Sequence, residues 1–163
     1  MNEAIELSKN ILIKPFEGYA RRLPDGSCCA YPDPASGDNP WTIGYGSTGP
    51  DISRGTIWSK DQAEKALQAH LVYFATGLIQ RSPTIIKASP ARFAAVLSWV
   101  YNLGFGNYHI STFKKRVEAH DWPGAAIECL KWNKARGRVL PGLTRRRQAE
   151  ALMLDPSVNI TKS

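Results

Sequence analysis

Residues 19–45, YARRLPDGSCCAYPDPASGDNPWTIGY, differ in composition from the segments on either side, which have helical periodicity. Pro24-Asp25-Gly26 is a hairpin-turn signal, and residues 32–40 form a second, longer loop rich in proline, glycine and aspartate. Three short runs favour a small antiparallel sheet: Tyr19–Leu23, Ser27–Tyr31 and Trp41–Tyr45. This stretch therefore predicts a lobe of strands within an otherwise helical chain.

The segment before this stretch has apolar residues at helical spacing. Residues 2–13 place Ile5 and Leu12 on one side of a first helix. Because a proline disfavours helical geometry in the residue before it, we expect Pro15 to end this helix at Lys14. Glu17 should then lie just beyond the helix.

The segment after the predicted strands is mainly helical. Ser59 and Gln62 form a capping box that begins the longest helix. Its core face consists of Ala63, Leu67, Leu71, Phe74 and Leu78. Ser89-Pro90 begins another helix, which we expect Gly104 and Gly106 to end. The core face of that helix consists of Phe93, Leu97, Val100 and Leu103. Shorter helices are predicted to begin at Ser111, Asp121 and Thr144.

This order of elements predicts an α+β fold. A small antiparallel sheet lobe, about residues 17–58, would be joined by a long helix to a mainly helical lobe of about residues 59–160, which includes the N-terminal helix. The chain has 163 residues, which fits a single domain, 1–163. A cleft between two such lobes can hold an extended polymer.

Charge and composition limit the partners of the chain. The 21 Lys and Arg residues outnumber 14 Asp and Glu, which gives a net charge of +7 and favours a polyanionic partner. Nucleic acid, anionic lipid and an acidic cell wall all fit that charge. We find no zinc finger, leucine zipper or stacked-aromatic RNA motif, and therefore expect no nucleic-acid partner. No exposed apolar stripe remains after the helices are assigned, so we expect a monomer.

The N-terminal residues and the cysteines bear on location and cofactors. Glu3, Glu6 and Lys9 interrupt the apolar positions at the start of the chain, so we expect neither a signal peptide nor stable membrane insertion. A cytoplasmic protein is expected. Cys28, Cys29 and Cys129 are an odd number with two adjacent members, which favours reduced thiols. No metal-ligand spacing is present, and we expect no metal and no cofactor.

Several carboxyl groups could carry chemistry. Glu17 lies between Phe16 and Gly18, where partial burial would raise the pKa of its carboxyl, although an exposed surface glutamate is the commoner situation. Asp33 and Asp38 lie in the proline-rich loop, where aspartate also occurs for turn formation alone. Gly44 and Gly46 remove side chains along one predicted strand, as expected where other atoms approach the backbone closely.

Five segments resemble phage-type lysozymes, glycoside hydrolase family 24. The first two are Phe16-Glu17-Gly18 and Ala30-Tyr31-Pro32-Asp33-Pro34, followed by Trp41-Thr42-Ile43-Gly44-Tyr45-Gly46 in the same region. Residues 98–106, SWVYNLGFG, resemble the buried helix and glycine turn of that family, and residues 142–150, GLTRRRQAE, resemble its closing segment. The segments occur in the family's order over residues 16–150.

The resemblance implies a lysozyme-like fold and an endolysin muramidase, made in the host cytoplasm and reaching the cell wall through a separate pore-forming protein. Its substrate would be peptidoglycan glycan strands, cleaved with inversion. By the same resemblance Glu17 is the general acid, Asp33 orients or activates water, and Thr42 helps to hold that water. Tyr45, Asn102 and Arg146 would contact substrate, with Arg146 near Glu17.

The resemblance leaves alternatives open. The stretch between Glu17 and Tyr31 is longer than in the shortest family members, so Asp38 or Asp25 could take the role of Asp33. A lytic transglycosylase would use the same substrate without water. A wall-binding or nucleic-acid-binding module without activity is the third possibility. The arginines at 145–147 could equally be a solvated helix face.

Overall fold

The computed structural model describes residues 1–34 and 36–162 and divides the chain into two compact units. The strand unit comprises Ile13–His70, and the helical unit comprises Met1–Leu12 together with the chain from Leu71 onward. The strand unit thus includes the first part of the long helix as well as the strands. Each unit has its own buried core.

The helices are α1 (Asn2–Leu7), α2 (Lys14–Glu17), α3 (Lys60–Arg81), α4 (Pro90–Ile110), α5 (Thr112–Glu118), α6 (Trp122–Leu130) and α7 (Pro141–Leu154). Residues Ser8–Ile13 are π-helical, and short 3₁₀ segments occupy Pro83–Lys87 and Ile160–Lys162. The strands are β1 (Cys28–Cys29), β2 (Thr42–Ile43), β3 (Ser47–Thr48), β4 (Ile57–Trp58), β5 (Lys134–Ala135) and β6 (Arg138–Val139). The α+β class predicted from the sequence is confirmed.

The first helical segment does not end where the sequence predicts. Instead of closing the segment, Pro15 lies in the first turn of α2, and Glu17 is the last residue of that helix. Proline is tolerated in a first turn because its missing N–H would have no helical partner there. The π-helical turn at Ser8–Ile13 separates α1 from α2, which makes this new first turn possible. Ile5 and Leu12 are buried as predicted.

The strands pair antiparallel in short ladders. β1 pairs with β4, and β2 pairs with β3. Two isolated bridges extend the pairing, Arg22 with Cys28 and Tyr31 with Thr42. All three predicted runs therefore take part, but as ladders of two residues, and the partner strands β3 and β4 were not predicted.

The long helix α3 begins as the capping box predicts. The Ser59 amide donates to the Gln62 side chain at 2.8 Å, and the Gln62 amide donates to the Ser59 hydroxyl at 3.1 Å. The predicted core face is buried except for Phe74, which is half-buried. The helix passes from the strand unit into the helical unit after His70.

The core of the helical unit is built around α4. Residues 93–100 are all buried, and the Trp99 ring lies 4.8 Å from Phe113 and 5.1 Å from Trp132, measured between ring centroids. The predicted end of this helix at Gly104 is confirmed, because Gly104 has non-helical backbone angles (φ 81°, ψ 164°) and a second helical stretch then runs to Ile110, with Gly106 inside it. Glycine accommodates that backbone conformation without steric cost.

The shorter helices start at capping residues, with one exception. Ser111 and Asp121 accept hydrogen bonds from the amides of Lys114 and Gly124, which confirms both predicted starts. The predicted start of α7 at Thr144 was wrong, because the helix begins at Pro141, a residue suited to a first turn. The Thr144 hydroxyl instead accepts a hydrogen bond from the Asn133 amide at 3.2 Å. The hairpin β5–β6 was not predicted.

A buried carboxylate joins α7 to α4 in the helical unit. Glu150 is fully buried and lies 2.7 Å from the Arg147 guanidinium and 3.4 Å from that of Arg146. The Ser98 hydroxyl of α4 donates to the same carboxylate at 2.6 Å. A buried charge is tolerated only when it is paired and hydrogen-bonded, so this cluster fixes how α7 packs.

We predict that Glu150→Gln lowers the free energy of unfolding by about 3–5 kcal/mol, because it leaves buried guanidinium charge without compensation. Urea denaturation monitored by circular dichroism measures the change. The matched control is Asp61→Asn, which removes an exposed ion pair with Lys65 and should leave the free energy of unfolding nearly unchanged. Equal effects of the two variants would contradict the structural role of Glu150.

Candidate active site

Glu17 is held at the C-terminal end of the short helix α2. The Gly18 amide donates to the Lys14 carbonyl at 3.0 Å and closes the helix. Gly18 itself has φ of 71°, so the chain turns away immediately after Glu17. The Glu17 side chain is half-buried. Its carboxyl is therefore placed at a sharp turn of the backbone and not along a helix face.

The carboxyl of Glu17 lies against the backbone of Gly46. A Cβ atom placed on Gly46 would lie 3.3 Å from Oε2 of Glu17, and Gly46 has φ of 89°. A Cβ placed on Gly44 would lie 3.0 Å from the Ala63 Cβ of α3. The prediction that other atoms approach the backbone closely at these glycines is confirmed. The Glu17 carboxyl approaches Gly46, and helix α3 approaches Gly44.

Tyr31 is the second neighbour of Glu17. Burial raises the pKa of the Tyr31 hydroxyl, and the negative charge of Glu17 raises it further, while Arg21 acts in the opposite direction. Tyr31 and Thr42 exchange two backbone hydrogen bonds of 2.9 Å. The strand unit therefore brings Glu17, Tyr31, Thr42 and Gly46 together. The sequence motif uses Tyr31 only to locate Asp33. It does not predict that the charge of Glu17 acts on Tyr31.

Asp33 lies two residues beyond Tyr31 in a loop that closes on itself. Its amide donates to the Asp38 carbonyl at 2.9 Å, and its carbonyl accepts from the Gly37 amide at 2.8 Å. Its Oδ2 accepts a hydrogen bond from the Ser36 amide at 3.1 Å. One carboxylate oxygen is thus used to shape the loop, and the half-buried side chain is held in a defined orientation.

The two alternative aspartates have other roles in the structure. The Asp25 carboxylate accepts hydrogen bonds from the amide and hydroxyl of Ser27, which lower its pKa and stabilise the hairpin turn. Asp38 is exposed, and its Oδ1 accepts a hydrogen bond from the Trp41 indole at 3.2 Å. Both alternative aspartates thus make local hydrogen bonds, as Asp33 does with Ser36.

Tyr45 is part of a polar network that links α2 to α3. Its hydroxyl donates to Oε1 of Glu64 at 3.0 Å, and Lys14 Nζ lies 2.6 Å from the same oxygen. The Tyr19 ring is 5.2 Å from the Tyr45 ring. Burial, followed by the hydrogen bond and charge of Glu64, raises the pKa of Tyr45 to about 12. Tyr45 is only 6% exposed, which leaves little surface for direct contact with a substrate.

Asn102 and Arg146 belong to the helical unit. The Oδ1 atom of Asn102 is buried and has no hydrogen-bond partner within residues 1–34 and 36–162. Arg146 is 3% exposed, and its partners in the helical unit include Ser98 and Glu150. Arg146 and Arg147 are therefore buried, and of the three consecutive arginines it is Arg145 that forms a solvated face.

The part of the chain that the structure describes contains no cluster of three or more His, Cys, Asp or Glu side chains that could hold a metal ion. The three cysteines are free, with Cys28 and Cys129 buried. Burial and the nearby charge of Glu150 raise the pKa of the Cys129 thiol. The arrangement around Glu17 offers carboxyl, hydroxyl and backbone groups, which suit proton transfer.

Comparison with known proteins identifies the family. The pattern of the family described as phage lysozyme matches residues 16–150, and the chain therefore belongs to the phage lysozyme family. This confirms the resemblance seen in the sequence and the lysozyme-type fold. The family is one of glycoside hydrolases that act on peptidoglycan, which is the predicted enzyme class.

Individual relatives agree with this membership. The chain is 34% identical to an endolysin of Bacillus phage B103 over 139 residues, which are 85% of this chain and 49% of that protein. It is 32% identical to an endolysin of Acyrthosiphon pisum secondary endosymbiont phage 1, over 89% of this chain and 93% of that protein. The chain thus spans about half the length of the Bacillus phage relative and nearly all of the other.

A solved structure shows the same fold. The endolysin from Escherichia coli O157:H7 phage FAHEc1 matches with a TM-score of 0.70 and 28% identity, over 97% of this chain and 94% of that one. Within the described residues, the chain has no helix that is both long enough and apolar enough to cross a membrane.

We predict that Gly46→Ala slows peptidoglycan digestion, by less than the roughly 100-fold that a 1 Å misplacement costs, because a Cβ 3.3 Å from Oε2 of Glu17 would shift that carboxyl only slightly. The rate is measured by the loss of turbidity of a suspension of purified cell walls.

The matched control for this variant is Gly26→Ala. Gly26 has φ of 86°, close to that of Gly46, but a Cβ there would meet no atom within 4 Å. Both variants should lose a similar amount of stability from backbone strain, about 1–2 kcal/mol. Similar digestion rates for the two variants would show that the Gly46 contact with Glu17 is unimportant.

Proposed function

We propose that the chain is a muramidase that hydrolyses the β-1,4 bond between N-acetylmuramic acid and N-acetylglucosamine in bacterial peptidoglycan. The observation that carries this proposal is the half-buried carboxyl of Glu17, placed against the bare backbone of Gly46 and next to the Tyr31–Thr42 bridge. Membership of the phage lysozyme family supports the same activity.

In the proposed mechanism Glu17 is the general acid. It donates its proton to the oxygen of the leaving sugar as the glycosidic bond breaks. Gly46 leaves a space beside the carboxyl that any other residue would fill.

Asp33 is proposed to orient or activate the water that attacks the anomeric carbon, and Thr42 to help hold that water. Inversion requires the two carboxyl groups to be about 6.5–9.5 Å apart, with water between them. The loop contacts of Asp33 with Ser36, Gly37 and Asp38 support this assignment, because they fix the side chain without neutralising its charge. The reaction needs no cofactor, because acid and base carboxyls complete it.

The remaining predicted residues have distinct roles in the proposal. Asn102, whose side chain is half-buried, binds substrate, as the resemblance to the family implies. Arg146 takes part in substrate binding, as the resemblance to the family implies. Tyr45 supports the site indirectly, since its hydroxyl is used on Glu64.

We also propose that the protein acts as an endolysin. It would accumulate in the cytoplasm of the infected host and reach the wall through a separate pore-forming protein, as its resemblance to endolysins suggests. Both units would act together as a single catalytic domain, as a monomer and without a nucleic-acid partner. The net charge of +7 suits an anionic wall, because electrostatic attraction raises the rate of encounter.

We predict that Glu17→Gln and Asp33→Asn each slow digestion of purified peptidoglycan by about 100- to 10,000-fold, since each removes a group that transfers or directs a proton. Mass spectrometry of the products should show reducing ends from the wild type. Asp38→Asn is the matched control, because it changes an exposed aspartate of the same loop and should retain most activity.

The other outcomes of this experiment are equally informative. Anhydro-sugar products, with activity retained in Asp33→Asn, would identify a lytic transglycosylase. Undiminished cleavage by Glu17→Gln, or no cleavage by the wild type, would overturn the proposal. Binding of cell walls without any cleavage would identify an inactive wall-binding module.

We predict that Asn102→Leu raises KM for peptidoglycan fragments by about tenfold, the usual effect of losing one good hydrogen bond. The melting temperature should be unchanged or slightly higher, because an apolar side chain replaces a buried acceptor that has no partner. Asn107→Leu is the control, since the Asn107 amide donates to the Leu103 carbonyl at 2.7 Å. That variant should lose stability and keep its KM.

A further inference from the structure

Four aromatic side chains form a continuous cluster on the helical unit. Tyr73 and Phe74 come from α3, and Tyr101 and Phe105 come from α4 on either side of its break at Gly104. Ring centroids are 5.3 Å apart for Phe74 and Phe105, 5.5 Å for Phe74 and Tyr101, and 6.4 Å for Tyr73 and Phe105. We call these four residues the aromatic cluster.

The aromatic cluster is a surface feature. Tyr73 is 65% exposed, and the other three rings are half-buried. The aromatic residues of the nearby core, Trp99, Tyr108 and Phe113, are fully buried by comparison. Contiguous exposed apolar surface on a protein commonly marks a binding site. The exposed ring of Tyr73 is therefore available for a ligand.

A cleft of about 330 Å³ lies beside the cluster. It is lined by Tyr73, Thr76, Gly77, Gln80, Arg81 and Phe105. Gly77 allows Phe105 to lie directly on the backbone of α3, because a Cβ at this position would be 2.6 Å from the ring. The cleft thus has an aromatic wall, with a hydroxyl, an amide and a guanidinium among its other lining groups.

Arg81 is fixed at the cleft by two contacts. Its guanidinium stacks on the Phe105 ring at 3.9 Å from the centroid, and its Nη1 donates to the Gly77 carbonyl at 3.0 Å. A guanidinium carries five N–H donors, and the bond to Gly77 uses one of them. Because the group is planar and held in place, Arg81 suits recognition of a carboxylate at little entropic cost.

We propose that this cleft, whose lining includes none of the residues proposed for catalysis, is a second binding site for the cell wall, and that it binds a muramyl sugar together with a carboxylate of its lactyl-peptide substituent. The aromatic wall would stack against the apolar face of the sugar, and Thr76 and Gln80 would bond its hydroxyl or acetamido groups. Arg81 would pair with the carboxylate. This inference rests on the proposed function, because it takes peptidoglycan as the substrate.

The lining residues favour this ligand over others. Single-stranded nucleic acid also stacks on aromatic side chains, but it requires a groove of several basic residues along its backbone. Arg81 is the one basic residue among the six that line the cleft. An apolar protein partner would leave Thr76, Gln80 and Arg81 buried without satisfied polar groups, which is unfavourable.

The test measures binding to insoluble cell walls in a Glu17→Gln background, so that the walls are not digested. Sedimentation of the protein with the walls should give a dissociation constant about tenfold weaker for both Tyr73→Ala and Arg81→Gln, as expected for the loss of one charge-assisted or stacking contact. Val72→Ala is the matched control, since Val72 is 41% exposed on the same turn of α3 but does not line the cleft. Melting curves check that each variant folds.

A second arm tests the carboxylate. Titration calorimetry with a soluble muramyl disaccharide peptide should show weaker binding for Arg81→Gln, whereas a neutral chitin oligomer should bind the parent and Arg81→Gln equally. Unchanged wall binding by Tyr73→Ala and Arg81→Gln would overturn the second site. Displacement of the walls by single-stranded DNA, or dimerisation lost in Tyr73→Ala, would assign the surface to another partner and also overturn it.

These results are independent of the hydrolase assignment. Wall binding that depends on Tyr73 and Arg81, in a protein whose wild type cleaves nothing, would support the second site and reject the proposed function. Cleavage by the wild type, together with wall binding that neither variant weakens, would support the proposed function and reject the second site.

Discussion

One carboxylate, that of Glu64, determines the geometry of the strand unit. It accepts hydrogen bonds from Lys14 at the start of α2 and from Tyr45 beside the glycines of β2 and its turn. Glu64 itself is on α3, so three separate segments meet at one side chain. Glu17 is on α2 and Gly46 is in the turn after β2. The contact between the Glu17 carboxyl and the Gly46 backbone therefore depends on Glu64, which bonds to both segments. The ladders of two residues provide too few hydrogen bonds to hold this geometry alone.

The helical unit uses a carboxylate in a different way. Glu150 is completely buried and is compensated by two guanidinium groups and a serine hydroxyl. A buried charge of this kind tolerates only one arrangement of its partners, because any other would leave charge unpaired. The Glu64 network is partly exposed, whereas the fully buried Glu150 cluster keeps α7 fixed on α4.

Local signals in the sequence predicted local structure well. The starts of α3, α5 and α6 followed from capping residues, since a cap depends only on the next three residues. Pro15 was misinterpreted because the rule for proline does not reveal that a π-helical turn precedes it and allows a new helix to begin. The short strands β3 and β4 have no periodicity to detect, since two residues cannot show an alternating pattern.

The residues proposed for the site come from sequence motifs, whereas their contacts become visible only in the structure. Glu17, Asp33 and Thr42 were recognised from the motifs around them, and the need for glycine at position 46 followed from the missing side chain. The effect of the Glu17 charge on the pKa of Tyr31, the use of the Tyr45 hydroxyl on Glu64 and the burial of Arg146 all depend on tertiary packing. A run of three arginines ordinarily indicates a solvated helix face. Burial of Arg146 is favourable because Ser98 on α4 and Glu150 on α7 interact with its guanidinium.

The state of the three cysteines has a practical consequence for studying this protein. Cys28 and Cys129 are buried and the pKa of Cys129 is raised, so Cys29 on β1 is the thiol with solvent contact. Thiolates react and protonated buried thiols do not. The native chain therefore offers a single attachment point for a spin label or fluorophore in the strand unit, close in sequence to Tyr31, without any engineered cysteine. Motion of the loop that carries Asp33 can be followed from that position in solution.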